Sequence, residues 1–169
     1  MAVSQTEQTF RQLHSLRIKL RADINTYREM YIRASYYAER ERHDSAQRNH
    51  EHELFYRRMV ETYTARIIDD RSQLQATLGW IEYVLPDAND PLRKAADDLL
   101  TLRSWDPPGV PVEAKKLDAW LKQSITDARN ATPSELEPKF ESLRRLLHER
   151  RGSLIREAAE RYHEDIKGL

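Results

Sequence analysis

The chain has 169 residues, no cysteine, and 28 Lys or Arg balanced by 28 Asp or Glu. That length suits one domain able to bury a core without disulfides or a structural metal, and zero formal charge excludes a global field that would draw the whole protein to nucleic acid or anionic lipid. Disulfide scaffolds, thiolate metal sites and cysteine nucleophiles are excluded outright, and the balance of 39% hydrophobic to 33% charged residues with four Gly fits thin apolar seams on helices.

The opening segment, MAVSQTEQTFRQLHSLRIKL, has no apolar run of the kind that leads secretion, and no stretch approaches the length of a membrane span. The expectation is a cytoplasmic, bacterial protein that does not enter a membrane. Residues 1–78 contain neither Gly nor Pro. Apolar side chains recur at Phe10, Leu13, Leu20, Ile24, Tyr27, Tyr31, Ala34 and Ala38, in alternating steps of three and four once Arg17 takes its place. A second seam runs through Phe55, Val60, Tyr63, Ile67, Leu74, Ile81 and Val84 and stops at VLPDANDP, because Pro86 and Pro91 cannot sit inside a helix.

Between the seams lies AERERHDSAQRNHEHE, residues 38–53. As one continuous helix it would be supported by Arg40, Asp44 and Arg48, four apart with alternating sign. As a turn, Asp44 or Ser45 caps a second helix with Gln47 placed as in a capping box. The turn is preferred, since it sets Tyr27 and Tyr31 opposite Tyr63, Met59 and Phe55, and Phe10 and Leu13 opposite Leu78, Trp80 and Ile81.

Asp90 is placed to cap a short helix starting at Pro91, with Leu92, Ala95, Ala96, Leu99 and Leu100 on one face. SWDPPGVP ends it, and a helix from about Val112 to Asn130 follows with Leu117, Trp120, Leu121, Ile125 and Ala128 inward. The last helix buries Phe140, Leu143, Leu147, Leu154, Ala158, Tyr162 and Ile166, with Gly152 weakening it by about 1 kcal/mol without ending it. The expected fold is all-α: an elongated helical bundle in a single domain, 1–169, with a long antiparallel hairpin (4–85), a short helical pair (91–130) and a long C-terminal helix (133–167).

Candidate chemistry is sparse. His43, His50 and His52, among Glu39, Glu41, Glu51 and Glu53, supply nitrogen and oxygen enough for zinc or nickel. Yet His50 and His52 point about 200° apart on a helix, and neither has a His or carboxylate partner four residues away on its own face. The stretch therefore reads as a solvated tip with no metal. Glu157, Glu160, His163 and Glu164 include the Glu-x-x-His spacing of di-iron bundles, but no second copy exists. Arg156 and His163 have a spacing that resembles helical HEPN ribonucleases, which implies chemistry at an RNA phosphate and 2′-hydroxyl; Glu157 stands where that family commonly has Asn or Asp. No phosphate loop, nucleophile elbow or metalloprotease helix is present, so no cofactor, small-molecule substrate or catalysis is expected.

Two segments are locally basic. Residues 10–42 hold eight Lys or Arg against four acids, and residues 139–156 hold six against two. If the first and last helices lie side by side, Arg17, Arg21, Arg28, Arg144, Arg145, His148 and Arg151 form contact rows for a partner or for phosphates, with Tyr36 and Tyr37 offered for stacking on bases. The bland alternative pairs these cations with Glu29, Glu141 and Glu149. Trp105, in a proline-rich connection, either plugs the bundle or docks a partner. The functional expectation is a non-catalytic helical interaction or adaptor protein that binds a protein partner or self-associates. The alternative is a nucleic-acid-binding subunit of a ribonucleoprotein, comparable in kind to the small helical subunits of CRISPR effector complexes, with a HEPN-like ribonuclease ranked third.

Overall fold

The computed structural model describes the backbone of residues 2–101, 109–130 and 135–168, and the side chains among them from residue 7 onward. Within the described residues there are six helices and no strands, so the all-α expectation holds. They are α1 (Ala2–His43), α2 (Gln47–Val84), α3 (Pro91–Leu100), α4 (Ala114–Asn130), α5 (Leu136–Glu149) and α6 (Arg151–Lys167).

The chain doubles back at residues 44–46, between α1 and α2. The Asp44 amide closes the end of α1 on the Arg40 carbonyl at 2.8 Å. Its carboxylate accepts from the Ala46 amide at 3.2 Å, and the buried Asn49 side chain donates back to the Asp44 carbonyl at 2.9 Å. Asn49 thus closes the turn where sequence reasoning assigned Gln47. Arg40, Arg42 and His43 occupy the last turn of α1, where the helix dipole favours cations.

The folded chain groups into two compact units. The first comprises residues 1–19, 70–103 and 135–169, and the second residues 20–69 and 104–134. In the first, the start of α1 and the end of α2 contribute Leu13, Leu16, Leu74, Leu78 and Ile81 to a core completed by Leu92, Leu99, Leu136, Leu143, Leu147 and Leu154. Helix α3 packs on α5. The expected cap holds: Asp90 accepts from the Leu92 amide at 2.9 Å, one residue before Pro91. Cationic side chains satisfy the carbonyls left open at helix ends, Arg71 donating to Leu100 O at 2.7 Å and Arg93 to Pro86 O at 2.6 Å.

In the second unit, α4 lies along the turn-proximal part of α1. Its buried residues Leu117, Ser124 and Ala128 are seven and four apart, one face of a helix. Helix α1 answers with Glu29, Tyr36 and Arg40: Tyr36 donates its hydroxyl proton to Asp118, Arg40 pairs with Asp118 at 3.0 Å, and Glu29 pairs with Arg129 at 2.7 Å.

Several sequence expectations shift. Tyr162 and Ile166, expected inward on the last helix, are exposed. The inward seam of α2 runs Asn49, Glu53, Tyr56, Val60, Tyr63, Ile67, Asp70 and Leu74, a strict three-four alternation that bypasses Phe55, whose ring is 55% exposed with an edge on Tyr56. Hydrophobicity drew the seam to Phe55, whereas register placed polar residues inside. On α1, Tyr31 is exposed and stacks on Tyr27, while Ile32 and Tyr36 are buried. The hydrogen bonds to α4 account for Tyr36. Finally, the C-terminal segment is two helices rather than one. The break is at Arg150, with φ −102° and ψ 9°, where the guanidinium turns to the N-cap Asp90 and also reaches Glu157 at 3.7 Å. The helix-weakening Gly152 follows two residues later.

Candidate partner groove and hairpin-tip cluster

In the first unit, a groove of about 250 Å³ opens between α1 and α5. Its walls are Phe10 and Leu13 from α1 and Phe140, Leu143 and Leu147 from α5. The spacing of each set, three, or three and four, puts those side chains on one face. Packing the two faces together buries Leu13, Phe140, Leu143 and Leu147 and leaves Phe10 half-exposed at the mouth.

Four polar side chains line the same groove: His14 and Arg17 from α1, Arg144 and His148 from α5. Each follows an apolar wall residue by one position, or by four in the case of Arg17, so the stripe that builds the wall also carries the rim. No carboxylate lines it among the described residues. The balancing acids stand outside: Glu137 pairs with Arg17 at 2.6 Å and Glu141 with Arg144 at 2.6 Å. The Arg144 hydrogen bonds hold the Glu141 carboxyl below its ordinary pKa against a smaller opposing effect of burial. Both arginines keep guanidinium edges for a second acceptor, since one carboxylate cannot use five N–H groups.

The sequence-predicted contact residues divide accordingly. Arg17, Arg144 and His148 meet at this groove, as side-by-side packing of first and last helices would require. Arg145 and Arg151 are exposed and ion-paired, with Glu149 at 3.3 Å and with Glu7 respectively. Arg21 and Arg28 belong to the second unit, half-buried, with the Arg28 Nε enclosed without a hydrogen-bond partner.

Tyr36 and Tyr37 do not offer the exposed stacking faces expected of them. Tyr36 is only 5% exposed and bonded to Asp118 and Arg40. Burial, reinforced by its bond to Asp118, raises its pKa. Tyr37 is sandwiched with its ring 5.7 Å from Tyr56 and 4.7 Å from His52, both stacked. The physical reason is the second unit's shortage of aliphatic side chains; its aromatics serve as core. Arg156 and His163 are exposed on α6, as are Glu160 and Glu164. Trp105 lies outside the described residues.

The second constellation is at the turn. Glu41 near the end of α1 and His50 and Glu53 near the start of α2 bring one ligand atom each to within 4.8 Å of one another. His50 Nδ1 is 3.2 Å from Glu41 Oε1. Glu53 is 8% exposed and paired with Arg57 at 2.6 Å. Burial first, then a hydrogen bond shared with Glu41, raises the Glu53 pKa above the ordinary carboxyl value, with Arg57 pulling the other way. The remaining histidines are engaged elsewhere: His43 Nε2 meets the Val112 carbonyl at 2.8 Å, and His52 stacks on Tyr37. Reading partners only along one helix missed this trio, because the partner of His50 comes across the turn. The available signal was the seam itself, which runs through Glu53 when continued back from Ile67.

Comparison of the chain with family models, with curated proteins and with solved structures finds no match, so the geometry of these two places stands as the basis for function.

Proposed function

We propose that the protein is a non-catalytic helical interaction module, and that the α1–α5 groove receives an apolar side chain flanked by carboxylates from a protein partner. The observation that supports this most is the groove's composition: five apolar walls under a rim of two arginines and two imidazoles without a carboxylate. Its volume, about 250 Å³, is below the range of about 300–1,000 Å³ usual for small-molecule sites and suits one or two anchoring side chains. A buried apolar or aromatic anchor surrounded by polar contacts is how interfaces concentrate their binding energy.

The alternative, a nucleic-acid-binding subunit, draws on the same arginines. It loses support where Tyr36 is buried and Tyr37 is stacked on Tyr56 and His52, and where Arg145 and Arg151, outside the groove, each have a carboxylate partner.

Selection from a library of random dodecamer peptides against the full chain tests the reading. Enriched peptides are expected to carry Leu, Phe or Trp between Asp or Glu. Their affinity should fall at least tenfold on Arg144→Glu, a substitution at an exposed site. Enrichment of basic peptides, or affinity unchanged by that substitution, would overturn the groove assignment. Tight binding of a fluorescent single-stranded RNA at 50 mM salt, lost steeply by 200 mM, would favour the nucleic-acid reading instead.

A further inference from the structure

We propose that Glu41, His50 and Glu53 form a site for a divalent transition-metal ion of the zinc, cobalt or nickel class, which would tie the end of α1 to the start of α2. The proposal is independent of the groove. Three features carry it. One imidazole nitrogen and two carboxylate oxygens lie within 4.8 Å of one another, close enough for a single ion to meet all three after side-chain adjustment alone. The set is mixed nitrogen and oxygen, which borderline cations prefer over calcium or magnesium.

The second feature is that the ligands come from two helices held in register by the turn's own hydrogen bonds, Ala46 N to Asp44 Oδ1 and Asn49 Nδ2 to Asp44 O, so the geometry is set before an ion arrives. The third is Glu53. A carboxylate at an inward seam position, where an apolar residue would serve the core better, is poorly placed unless something compensates it. Arg57 contacts it from its own helix but is 64% exposed at the side chain, and Glu41 faces it from α1 as a second carboxyl. A cation held between the two carboxylates would supply that compensation. His50, exposed at 47%, leaves one side of the site open to water, which would complete four-coordination.

The test uses the full-length chain after treatment with a chelator. Titration with Co²⁺, followed by visible d–d absorption, and competition by Zn²⁺ should report one site per chain with a dissociation constant near micromolar. At a hundredfold excess of Zn²⁺ over that constant, mass action predicts a rise in Tm of about 5–10 °C. His50→Ala, at an exposed position that leaves the core alone, should weaken binding at least tenfold, and Glu53→Gln should do the same. His43→Ala and His52→Ala should leave the constant within twofold. Failure of the wild type to bind, or loss of binding in His43→Ala or His52→Ala equal to that in His50→Ala, would overturn the assignment.

Discussion

In the unit formed by residues 1–19, 70–103 and 135–169, seventeen of the described residues are buried hydrophobics, mostly leucine, against two buried polar residues, Thr9 and Asp70. In the unit formed by residues 20–69 and 104–134 the corresponding numbers are eight and four, the four being Asp23, Asn49, Glu53 and Ser124. Both units draw on α1 and α2, so helix propensity does not separate them. The difference is in what fills the space between helices. Aliphatic side chains gain stability in proportion to the area they remove from water and tolerate imperfect geometry. Stacked rings and paired ions, such as Tyr37 on Tyr56 and Glu29 between Arg33 and Arg129, work only when placed correctly. A region of the second kind costs stability and gains specificity of contact.

The comparison can be tested by substitutions whose effects should rank as follows. Leu154→Ala, at a fully buried position of the aliphatic unit, should lower unfolding free energy by about 3 kcal/mol, read from the denaturant midpoint at constant slope. A loss below 1 kcal/mol would mean that this core is not close-packed. Asp90→Ala removes the α3 cap and the Arg150 partner together and should cost about 1–2 kcal/mol; Asp90→Asn should recover most of the capping part, because its amide oxygen still accepts from Leu92 N. Gly152→Ala should have the opposite sign. A Cβ there meets nothing within 4 Å, and the helix propensity gained in the first turn of α6 should stabilise by about 0.5 kcal/mol.

The smallest effects should be those of charge in the second unit, and their signs differ at two carboxylates. Burial pushes the Glu29 pKa up, but hydrogen bonds from Arg129 and Arg33 outweigh it and hold the folded value below the ordinary one. Its stabilising contribution is therefore present above about pH 4.5 and is lost as pH falls through the folded pKa. Glu53 is raised, so its contribution is complete below about pH 4.5 and is lost as pH rises through its folded pKa. With chelator present, Glu29→Gln should thus be less stable than wild type at pH 7 and Glu53→Gln more stable. Both differences should shrink toward pH 3.5 in denaturant titrations. The same sign for both at pH 7 would remove the electrostatic contrast drawn above.

Much of the helical order was legible in the residues. The absence of Gly and Pro before residue 79, Pro86 and Pro91 as stops, Asp90 as a cap and the heptad-like spacing are all local properties, and they sufficed to place the first three helices and their ends. The apolar walls of the groove were also visible as inward stripes. What tertiary packing decided was which neighbour each face meets. Tyr36 left the surface because Asp118 of α4 lies against it, and Phe55 stayed outside because the register running back from Ile67 takes Glu53 and Tyr56 inward. The C-terminal helix broke because Arg150 is drawn to the Asp90 cap, sixty residues earlier in the chain. His50 acquired two carboxylate neighbours because one of them belongs to the preceding helix. Periodicity ranks the faces of one helix by hydrophobicity, but it carries no information about the side chains of another, and a binding site is made of exactly such pairings between helices.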